Sequence, residues 1–519
     1  MGNGKGKVYL IGAGPGDPEL ITVKGKAILE RCDAVIYDYL TPSEFIICAP
    51  PHIEMHFAGK RAGHVSAEQD DINELMVKLA LEGKIVARLK GGDPFLFGRG
   101  GEEAEYLRRQ GIDFEVIPGV TAGTAVPAYA GIPITDRRYS SYTVLATGHK
   151  SKIKEKSDVP WGWLAKMKGG TLVIYMGVGE LEQLSRSLIE NGLSPDTPSA
   201  IIERGTESTQ RIVSAPLSEL AGRAVEAEIG PPALIVIGKV VDLRAKLAWF
   251  EKVPLFGVRV MVTRPVELAI PLYRRLRELG AEVLPCPTIA ATEHIDEEAW
   301  DKVTALLKNR SDERDRWLAF TSRIGVRYFF EQLKRRLDIR LLAGLRIAAI
   351  GEGTAGDLRR AGLIPDFIPD KATVADLAAQ LIRSFDMKEA EVIRVRGNLS
   401  EPVLENACAK AGATVIPLRT YTVSIPRWPD GIKEKLLDRP PQAIIFTSSS
   451  TVDGLFEILS DAEIKSISGN AKIFSIGPST AQRLRQRGLP VDRQCESFSI
   501  EALIDELLAE FDRKGRNER

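Results

Sequence analysis

Short runs of β-branched and aliphatic residues alternate along the whole chain with stretches whose apolar residues recur at helical spacing. Such alternation predicts an α/β fold, in which helices cover the faces of mostly parallel sheets. Helical spacing marks, for example, Val23–Arg31 and Gln69–Glu82. The strands predicted in the first half are short and largely apolar: Val8–Ile11, Ala34–Tyr37, Ile85–Leu89, Thr143–Ala146, Thr171–Tyr175 and Ala233–Ile237.

The second half contains an internal repeat, in which the same short motifs recur at the same offsets. Phe320-Thr321-Ser322 and Phe446-Thr447-Ser448 are each followed at the same distance by an Ile-Gly pair, at 350–351 and 476–477. Further matches upstream and downstream keep this register, so a chance match of one motif does not explain the pattern. The repeat predicts two similar α/β lobes with a cleft between them.

The pattern of the chain changes near residue 253. Pro254 and Gly257 interrupt it, and a new apolar run begins at Val258. We therefore expect one domain over residues 1–250 and a second over residues 255–519. The full length of 519 residues leaves room for several separate cores.

Composition excludes several classes of protein. Seventy Lys and Arg balance 70 Asp and Glu, which argues against a nucleic-acid-binding protein, because such proteins need a basic excess. No run of apolar residues is long enough to span a membrane. The five cysteines lack metal-ligand spacing and are odd in number, so we expect neither a disulfide framework nor a zinc site, and a cytoplasmic location.

A glycine-rich loop, Gly12–Gly16, directly follows the first predicted strand, and Asp38 ends the second. This arrangement is typical of nicotinamide dinucleotide-binding folds, in which a helix N-terminus binds the pyrophosphate and an acid binds the ribose. Pro15 and Pro18, however, delay the next helix to Thr22, its predicted N-cap. On pattern alone, a dehydrogenase and a tight turn without a ligand both stay open.

A second loop, over residues 89–103, carries a more specific pattern. Gly91 and Gly92 lack Cβ atoms and let a ligand approach the backbone closely, while the Asp93 carboxylate can accept from an amine or a hydroxyl. Glu102 and Glu103 are expected to complement the dipole of the following helix. Further small-residue motifs end other predicted strands: Pro118–Gly123, Gly131–Arg137, Thr147–His149, Tyr175–Gly177 and Glu203–Thr206.

Together these motifs, across residues 7–245, resemble the uroporphyrinogen-III C-methyltransferases of the tetrapyrrole methyltransferase family. The resemblance implies a homodimer with a two-lobed α/β fold, and S-adenosyl-L-methionine bound as methyl donor between the lobes. It implies methylation of uroporphyrinogen III at C2 and C7 to give precorrin-2. By motif match, the implied donor contacts are Pro15, Gly91, Gly92, Asp93, Leu96, Thr121, Ala122, Met176 and Gly205.

The same match implies that Asp38 is the proton acceptor and Lys60 the proton donor. Ring protons leave during methylation, which calls for acid–base groups. From the residues alone, Asp38 is equally a solvated strand end and Lys60 an exposed loop lysine. Arg137 is implied to meet a substrate carboxylate, although Asp136 stands where the family usually has histidine.

A metal site has one weak candidate. Alternation along a strand would place His52, Glu54 and His56 on one face, with His64 nearby. No cysteine stands at ligand spacing, and the family needs no metal there. We therefore expect no metal.

The ordered motifs of the second half, including Val262–Pro265 and Thr420–Thr422, resemble uroporphyrinogen-III synthase. The resemblance implies two flavodoxin-like lobes joined by a two-stranded hinge, and hydroxymethylbilane closed in the cleft to uroporphyrinogen III with inversion of ring D, without a cofactor. Tyr421 matches the tyrosine that assists loss of the bilane hydroxyl. The implied substrate contacts, some of which are equally plain N-caps, are Thr263, Arg264, Ser322, Arg396, Thr447, Ser448 and Thr480.

The two resemblances fit one another, because the product of the synthase is the substrate of the methyltransferase. A bifunctional enzyme acting on small tetrapyrroles is therefore the first hypothesis, with neither a nucleic acid nor a membrane as partner. The alternatives are a nicotinamide-dependent dehydrogenase, built on Gly12–Gly16 and Asp38, and a two-lobed sensor without catalysis.

Overall fold

The computed structural model describes residues 6–50, 52–58, 69–148, 159–166, 168–309, 314–429, 431–497 and 499–511. Its strands are β1 (Lys7–Gly12), β2 (Ala34–Tyr37), β3 (Glu54–Phe57), β4 (Ile85–Lys90), β5 (Asp113–Ile117), β6 (Tyr142–Thr147), β7 (Gly170–Tyr175), β8 (Pro198–Glu203), β9 (Arg211–Pro216), β10 (Ala233–Ile237), β11 (Arg259–Val262), β12 (Glu282–Pro285), β13 (Ala290–Glu293), β14 (Arg316–Phe320), β15 (Arg346–Ala349), β16 (Glu391–Gly397), β17 (Thr414–Ser424), β18 (Ala443–Phe446), β19 (Lys472–Ser475) and β20 (Arg493–Gln494).

The α-helices lie between these strands and cover the sheet faces. They are α1 (Val23–Leu29), α2 (Ser43–Ile47), α3 (Gln69–Leu81), α4 (Gly100–Arg109), α5 (Ala122–Tyr129), α6 (Trp161–Leu164), α7 (Leu181–Glu190), α8 (Leu217–Glu226), α9 (Arg244–Leu247), α10 (Val266–Glu278), α11 (Glu297–Lys308), α12 (Arg323–Arg336), α13 (Glu352–Arg360), α14 (Val374–Ser384), α15 (Val403–Lys410), α16 (Ile432–Asp438), α17 (Ser449–Ile458), α18 (Asp461–Ser468), α19 (Pro478–Gln486) and α20 (Ile500–Phe511).

The strands form four five-stranded sheets, so the predicted α/β class is confirmed. The first sheet has the order β3-β2-β4-β1-β5, and all its strands run parallel. The second has the order β6-β7-β10-β8-β9, in which β6 and β7 are parallel and the other pairs antiparallel.

The third and fourth sheets share the C-terminal half of the chain. The third, β12-β11-β18-β19-β20, is parallel throughout, so the first and last strands of this half lie in one sheet. The fourth has the order β13-β17-β16-β14-β15, and its edge strand β13 runs antiparallel to β17. The chain therefore leaves the third sheet after β12 and returns to it at β18.

The first sheet is buried on both faces, as parallel strands of continuous apolar character require. Along β1, Leu10 packs into a cluster of apolar side chains on one face of the sheet, and Ile11 packs into a second apolar cluster on the opposite face. Both side chains are 0% exposed. Full burial of such a side chain contributes about 1.5–3 kcal/mol. The alternation of side chains along these strands therefore fixes their register.

The predicted elements agree with the observed ones. Each strand predicted in the first half falls within an observed strand, and Ala34–Tyr37 and Ala233–Ile237 have identical bounds. Helix α1 begins at Val23, and the Thr22 hydroxyl caps it by accepting from the Gly25 amide at 3.1 Å. The last helical residue is Leu29 rather than Arg31, a difference of two residues at a fraying end.

The two halves of the chain pack against each other, and two of their contacts are apolar. The connecting segment packs on α5, where the Phe250 ring lies 4.8 Å from the ring of Tyr129 and 5.3 Å from that of Phe256. Helix α2 contributes Ile47 and Cys48 to the apolar clusters on the two faces of the third sheet. The third sheet is therefore held against the first. Among the described helices, none has the length and apolarity needed to cross a membrane.

Candidate active site

A cavity of about 1280 Å³ lies where the first, second and third sheets meet. Its lining includes the segments that directly follow β1, β2, β4 and β5, so it opens at the carboxyl ends of the parallel first sheet. Parallel sheets generally bind their ligands at this edge. The volume exceeds the range of about 300–1000 Å³ that is usual for a single small ligand.

The structure brings most of the sequence-predicted residues of the first half into this cavity. Asp38 lines it, and so do all nine predicted donor contacts: Pro15, Gly91, Gly92, Asp93, Leu96, Thr121, Ala122, Met176 and Gly205. Arg137 instead lies exposed on the turn between Asp136 and Ser140, away from the cavity. Lys60 falls outside the described residues.

Asp93 lines the cavity and is also bonded to the backbone of two loops, and its contact with the methyl donor stays a prediction. Its Oδ1 accepts from the amides of Phe95 and Leu96, at 2.8 and 3.1 Å, and its Oδ2 accepts from the amide of Gly119 at 2.9 Å. Both carboxylate oxygens are therefore engaged with the backbone. The side chain ties the loop after β4 to the loop after β5 and so positions the cavity wall.

Glycines allow the loops around Asp93 to meet without side chains between them. A Cβ on Gly119 would lie 2.2 Å from the Gly92 carbonyl oxygen and 2.7 Å from the Gly12 Cα. A Cβ on Gly92 would instead project into open space, with the Ala122 nitrogen as its nearest atom at 3.9 Å. The absence of a side chain at Gly92 thus leaves bare backbone facing the cavity.

Tyr175, at the end of β7, is a site residue that the sequence analysis missed. Its hydroxyl lies 2.6 Å from the Thr121 hydroxyl and accepts from the Gly123 amide at 2.6 Å. Burial raises the pKa of this phenol, so it stays neutral. Tyr175 therefore holds the first turn of α5, where two predicted donor contacts lie. In the sequence, the feature that points to Tyr175 as a site residue is its position next to Met176, which is a predicted donor contact.

Backbone strain concentrates at the same cavity. Seven described non-glycine residues have a positive φ between 46° and 73°. Five of them line the cavity: Phe97, Arg99, Met176, Arg204 and Thr206. Such conformations are unfavourable for residues with a Cβ, and they persist where the surrounding structure enforces them, often at functional sites.

A cluster of three cavity-lining side chains, Arg88, Lys90 and Gln69, surrounds the buried carboxylate of Glu103. Glu103 is 0% exposed, and its Oε1 accepts from Lys90 at 2.8 Å, Gln69 at 3.1 Å and Arg88 at 3.2 Å. Burial, and next the charge of Arg88, lower the pKa of Lys90. Arg88 Nη2 lies 3.6 Å from Asp38 Oδ2, so the cluster fixes a guanidinium beside the predicted proton acceptor.

The Gly12–Gly16 loop lacks the geometry of a pyrophosphate site. A 3₁₀ turn at Pro18–Leu20 separates the loop from α1, so the loop does not open a helix. Asp17 accepts from the Tyr129 hydroxyl at 2.8 Å, which joins the loop to the second-sheet side of the cleft. The Asp38 carboxylate, which would bind the ribose in a dinucleotide-binding fold, lies beside the Arg88 guanidinium. The dehydrogenase interpretation has no support in this arrangement.

The Glu54 carboxylate of the histidine segment is engaged by other side chains. His56 Nε2 lies 3.5 Å from Glu54 Oε2, and Glu54 also pairs with Lys84, which is the main cause of its lowered pKa. Within the described residues, no group of three potential ligands has the geometry to hold a metal. His64 lies outside these residues.

Comparison with known proteins identifies the two halves. Residues 7–221 match the family Tetrapyrrole (Corrin/Porphyrin) Methylases, and residues 271–505 match the family Uroporphyrinogen-III synthase HemD. Over 515 residues, the chain is 36% identical to the porphyrin biosynthesis protein HemD of Ruminiclostridium josui, covering 97% of this chain and 98% of that protein. The chain belongs to both families.

Two further relatives match the methylase half. An S-adenosyl-L-methionine-dependent uroporphyrinogen III methyltransferase of Methanosarcina barkeri is 47% identical over 243 residues, which cover 47% of this chain and 95% of that protein. A crystal structure of uroporphyrin-III C-methyltransferase from Thermus thermophilus, complexed with S-adenyl homocysteine, is 37% identical and has a TM-score of 0.40. It covers 46% of this chain and all of that one.

In the synthase half, Tyr421 lies on β17 and is 6% exposed. Its hydroxyl is 2.8 Å from the Ser322 hydroxyl, which caps α12 by accepting from the Gly325 amide at 2.9 Å. Burial raises the pKa of the phenol, although the Ser322 hydrogen bond and nearby arginines oppose the shift. The phenol is therefore held neutral in a fixed orientation.

The predicted arginines of the synthase half differ in their surroundings. Arg264 is 8% exposed, and burial, followed by the charge of Arg323 on α12, lowers its pKa to about 10. Arg264 thus places a cation between the third and fourth sheets. Arg396 already pairs with Glu405 at 2.9 Å and with the carbonyl of Ser400.

The predicted hydroxyl contacts are partly engaged within the protein. The Thr263 hydroxyl is fully buried and donates to the Ile445 carbonyl at 2.8 Å. Thr480 is 2% exposed, and Ser448 caps α17 by accepting from the Thr451 amide at 3.3 Å. Thr447 directly follows β18 and is half-buried. As substrate contacts, these four residues stay predictions.

Proposed function

We propose that the chain catalyses two consecutive reactions. The synthase half closes hydroxymethylbilane to uroporphyrinogen III with inversion of ring D. The methylase half then methylates this product at C2 and C7 with S-adenosyl-L-methionine to give precorrin-2. The observation that carries the proposal is that Asp38 and all nine predicted donor contacts converge on one strained cavity in the half that matches the methylases.

The cavity residues fit S-adenosyl-L-methionine. The bare backbone at Gly92 faces open space, and Thr121 and Ala122 begin a helix whose first turn Tyr175 holds in place. The volume leaves room for a tetrapyrrole beside the donor. When bound, the donor supplies an electrophilic methyl group on a sulfonium. The chain supplies alignment, which contributes much of the acceleration in such transfers.

Asp38 is proposed to accept a ring proton. Its Oδ1 accepts from the Leu40 amide at 3.1 Å, and Arg88 lies 3.6 Å from its Oδ2. The carboxylate is therefore fixed at the cavity wall, yet its side chain is 26% exposed and can reach a ligand. Lys60 is proposed as proton donor from the motif match alone.

Tyr421 is proposed to donate a proton to the hydroxyl that leaves the bilane. A neutral phenol is suited to this role, and the Ser322 hydrogen bond orients it. The parallel order of the third sheet supports a flavodoxin-like lobe. We further propose that β13 and β17, with the segments that continue them, form the two-stranded hinge.

The proposal also includes a division into domains, an oligomeric state and one substrate contact. The domains are residues 1–250 and 255–519, and the two family matches lie on either side of the gap between them. The chain forms a homodimer through the methylase half, which light scattering on the purified protein tests. Arg137 lies away from the cavity in this chain, so its contact with a tetrapyrrole carboxylate is proposed from the motif match alone.

One assay tests both activities. The full-length chain is incubated with hydroxymethylbilane and methyl-labelled S-adenosyl-L-methionine, and in parallel with supplied uroporphyrinogen III. We expect isomer III from the first mixture and labelled precorrin-2 from both. If label is not transferred even to supplied uroporphyrinogen III, the methylation proposal is wrong. If isomer I alone is formed, the synthase proposal is wrong.

A further inference from the structure

The synthase half contributes one wall of the methylase cavity. This wall is formed by the start of β11, the end of α10, β12 with the segment that leads into it, and α16 with the residue that follows it. Four cationic side chains lie along it: Arg259, Arg277, Lys435 and Arg439. The wall belongs to a different family from the half that carries the predicted donor contacts.

Two of these cations share a single carboxylate. Arg259 Nε lies 3.2 Å from Glu282 Oε1, and Arg439 Nη2 lies 2.8 Å from Glu282 Oε2. Arg259 is 5% exposed, whereas the Arg439 side chain is 39% exposed and reachable from the cavity. Glu207 lines the opposite side of this region, and burial raises its pKa, which weakens it as a competing anion. The three linked groups therefore carry a net positive charge.

Lys435 brings a second cation to the same wall. Its Nζ lies 5.5 Å from the centre of the Tyr39 ring, a distance at which a cation is attracted by the ring face. Tyr39 follows Asp38 directly in the chain, and both residues line the cavity. The ammonium of the synthase half thus lies beside the loop that carries the proposed proton acceptor.

We propose that Lys435 and Arg439 bind peripheral carboxylates of the tetrapyrrole in the methylase cavity, so that the synthase half completes the substrate site of the methylase half. The inference rests on the proposed methylation of uroporphyrinogen III, which carries an acetate and a propionate on every pyrrole ring. Paired cations on a partly desolvated wall suit such carboxylates.

The test uses the full-length chain with Lys435→Met and Arg439→Met. We expect each change to raise the KM for supplied uroporphyrinogen III about tenfold, equivalent to about 1.4 kcal/mol. The KM for S-adenosyl-L-methionine and the synthase rate should not change. Lys433→Met is the matched control, because Lys433 lies on the same helix and is not among the described residues that line the cavity. Lys435→Arg keeps the charge and should retain the wild-type KM.

Two results would overturn the inference. One is an unchanged KM for uroporphyrinogen III in both variants. The other is an equal loss with Lys435→Arg, since the positive charge would then not matter. Binding of uroporphyrin III, followed by fluorescence, provides a readout that does not need turnover. If the wild type transfers no methyl group, the proposed methylation is wrong. The binding measurement still decides the inference in that case. Tenfold weaker binding of uroporphyrin III by the variants supports the inference, and unchanged binding rejects it.

Discussion

Asp93→Asn is the change that most directly tests how the methylase cavity is built. The substitution keeps the shape of the side chain but replaces one acceptor oxygen by an amide donor. In the wild type, one oxygen accepts from Phe95 and Leu96 and the other from Gly119. Whichever way the new amide turns, its NH₂ group therefore faces a backbone N–H.

The expected cost follows from these contacts. At least one hydrogen bond to a charged group is lost, and each such bond contributes about 1.5–3 kcal/mol. We therefore expect the free energy of unfolding of the methylase half to fall by about 2 kcal/mol. For a domain of this size, that corresponds to a fall in Tm of about 4–8 °C. If the loops rearrange in the free variant and must return to the native geometry to bind, at a cost of about 2 kcal/mol, the Kd for S-adenosyl-L-methionine rises about thirtyfold.

Calorimetry measures both quantities on the full-length chain. The transition of the methylase half is the one that added S-adenosyl-L-methionine moves to higher temperature. Asp113→Asn, at the exposed start of β5, is the control and should change neither value. Weaker binding with an unchanged Tm of the free protein would refute the reasoning, because Asp93 would then contact the ligand directly instead of holding the loops.

Three further changes test other parts of the structure. Tyr421→Phe should lower the synthase rate about a hundredfold and leave methylation of supplied uroporphyrinogen III intact. Burial raises the pKa of this phenol above its usual value of 10. A pH profile of the wild-type synthase rate should therefore show no loss from ionisation of Tyr421 below about pH 10. Glu103→Gln should lower the free energy of unfolding, measured by urea denaturation, by about 3–5 kcal/mol, because two buried cations lose their counter-charge. The exposed control Glu105→Gln should leave this free energy unchanged. Gly119→Ala should raise the Kd for S-adenosyl-L-methionine tenfold or more, because overpacking costs about 1–3 kcal/mol. Gly101→Ala is the control and should bind normally, because its Cβ would meet no atom within 4 Å. Equal Kd values for the two alanine variants would contradict the crowding seen at Gly119.

The sequence predicts well what depends on local pattern. Strands of continuous apolar character and the Thr22 cap are local features, and both agree with the structure. Glycine motifs after strands place the donor contacts in one cavity, because the carboxyl ends of parallel strands share one edge of the sheet.

Features that depend on distant partners are not predictable in this way. The amide of Gly119 lies 26 positions from Asp93, and no local pattern links them. Tyr175 acts on α5, which is 52 positions away at Gly123. Glu103 is an exception, because it shares the apolar stripe of α4 with Ala104 and Leu107, and a carboxylate on that stripe signals a buried partner. Its position at the start of α4 had indicated only a carboxylate that complements the helix dipole.

The direction of β11 determines how the two proposed sites communicate. Arg259, at its start, lines the methylase cavity, while Arg264, just past its end, lies between the third and fourth sheets. All four residues of this strand are buried, and at about 3.3 Å per residue they form a solid partition more than 10 Å thick. For the two proposed activities, β11 therefore separates the site that forms uroporphyrinogen III from the site that methylates it. Joining the two halves in one chain raises the local concentration of this intermediate at the methylase cavity.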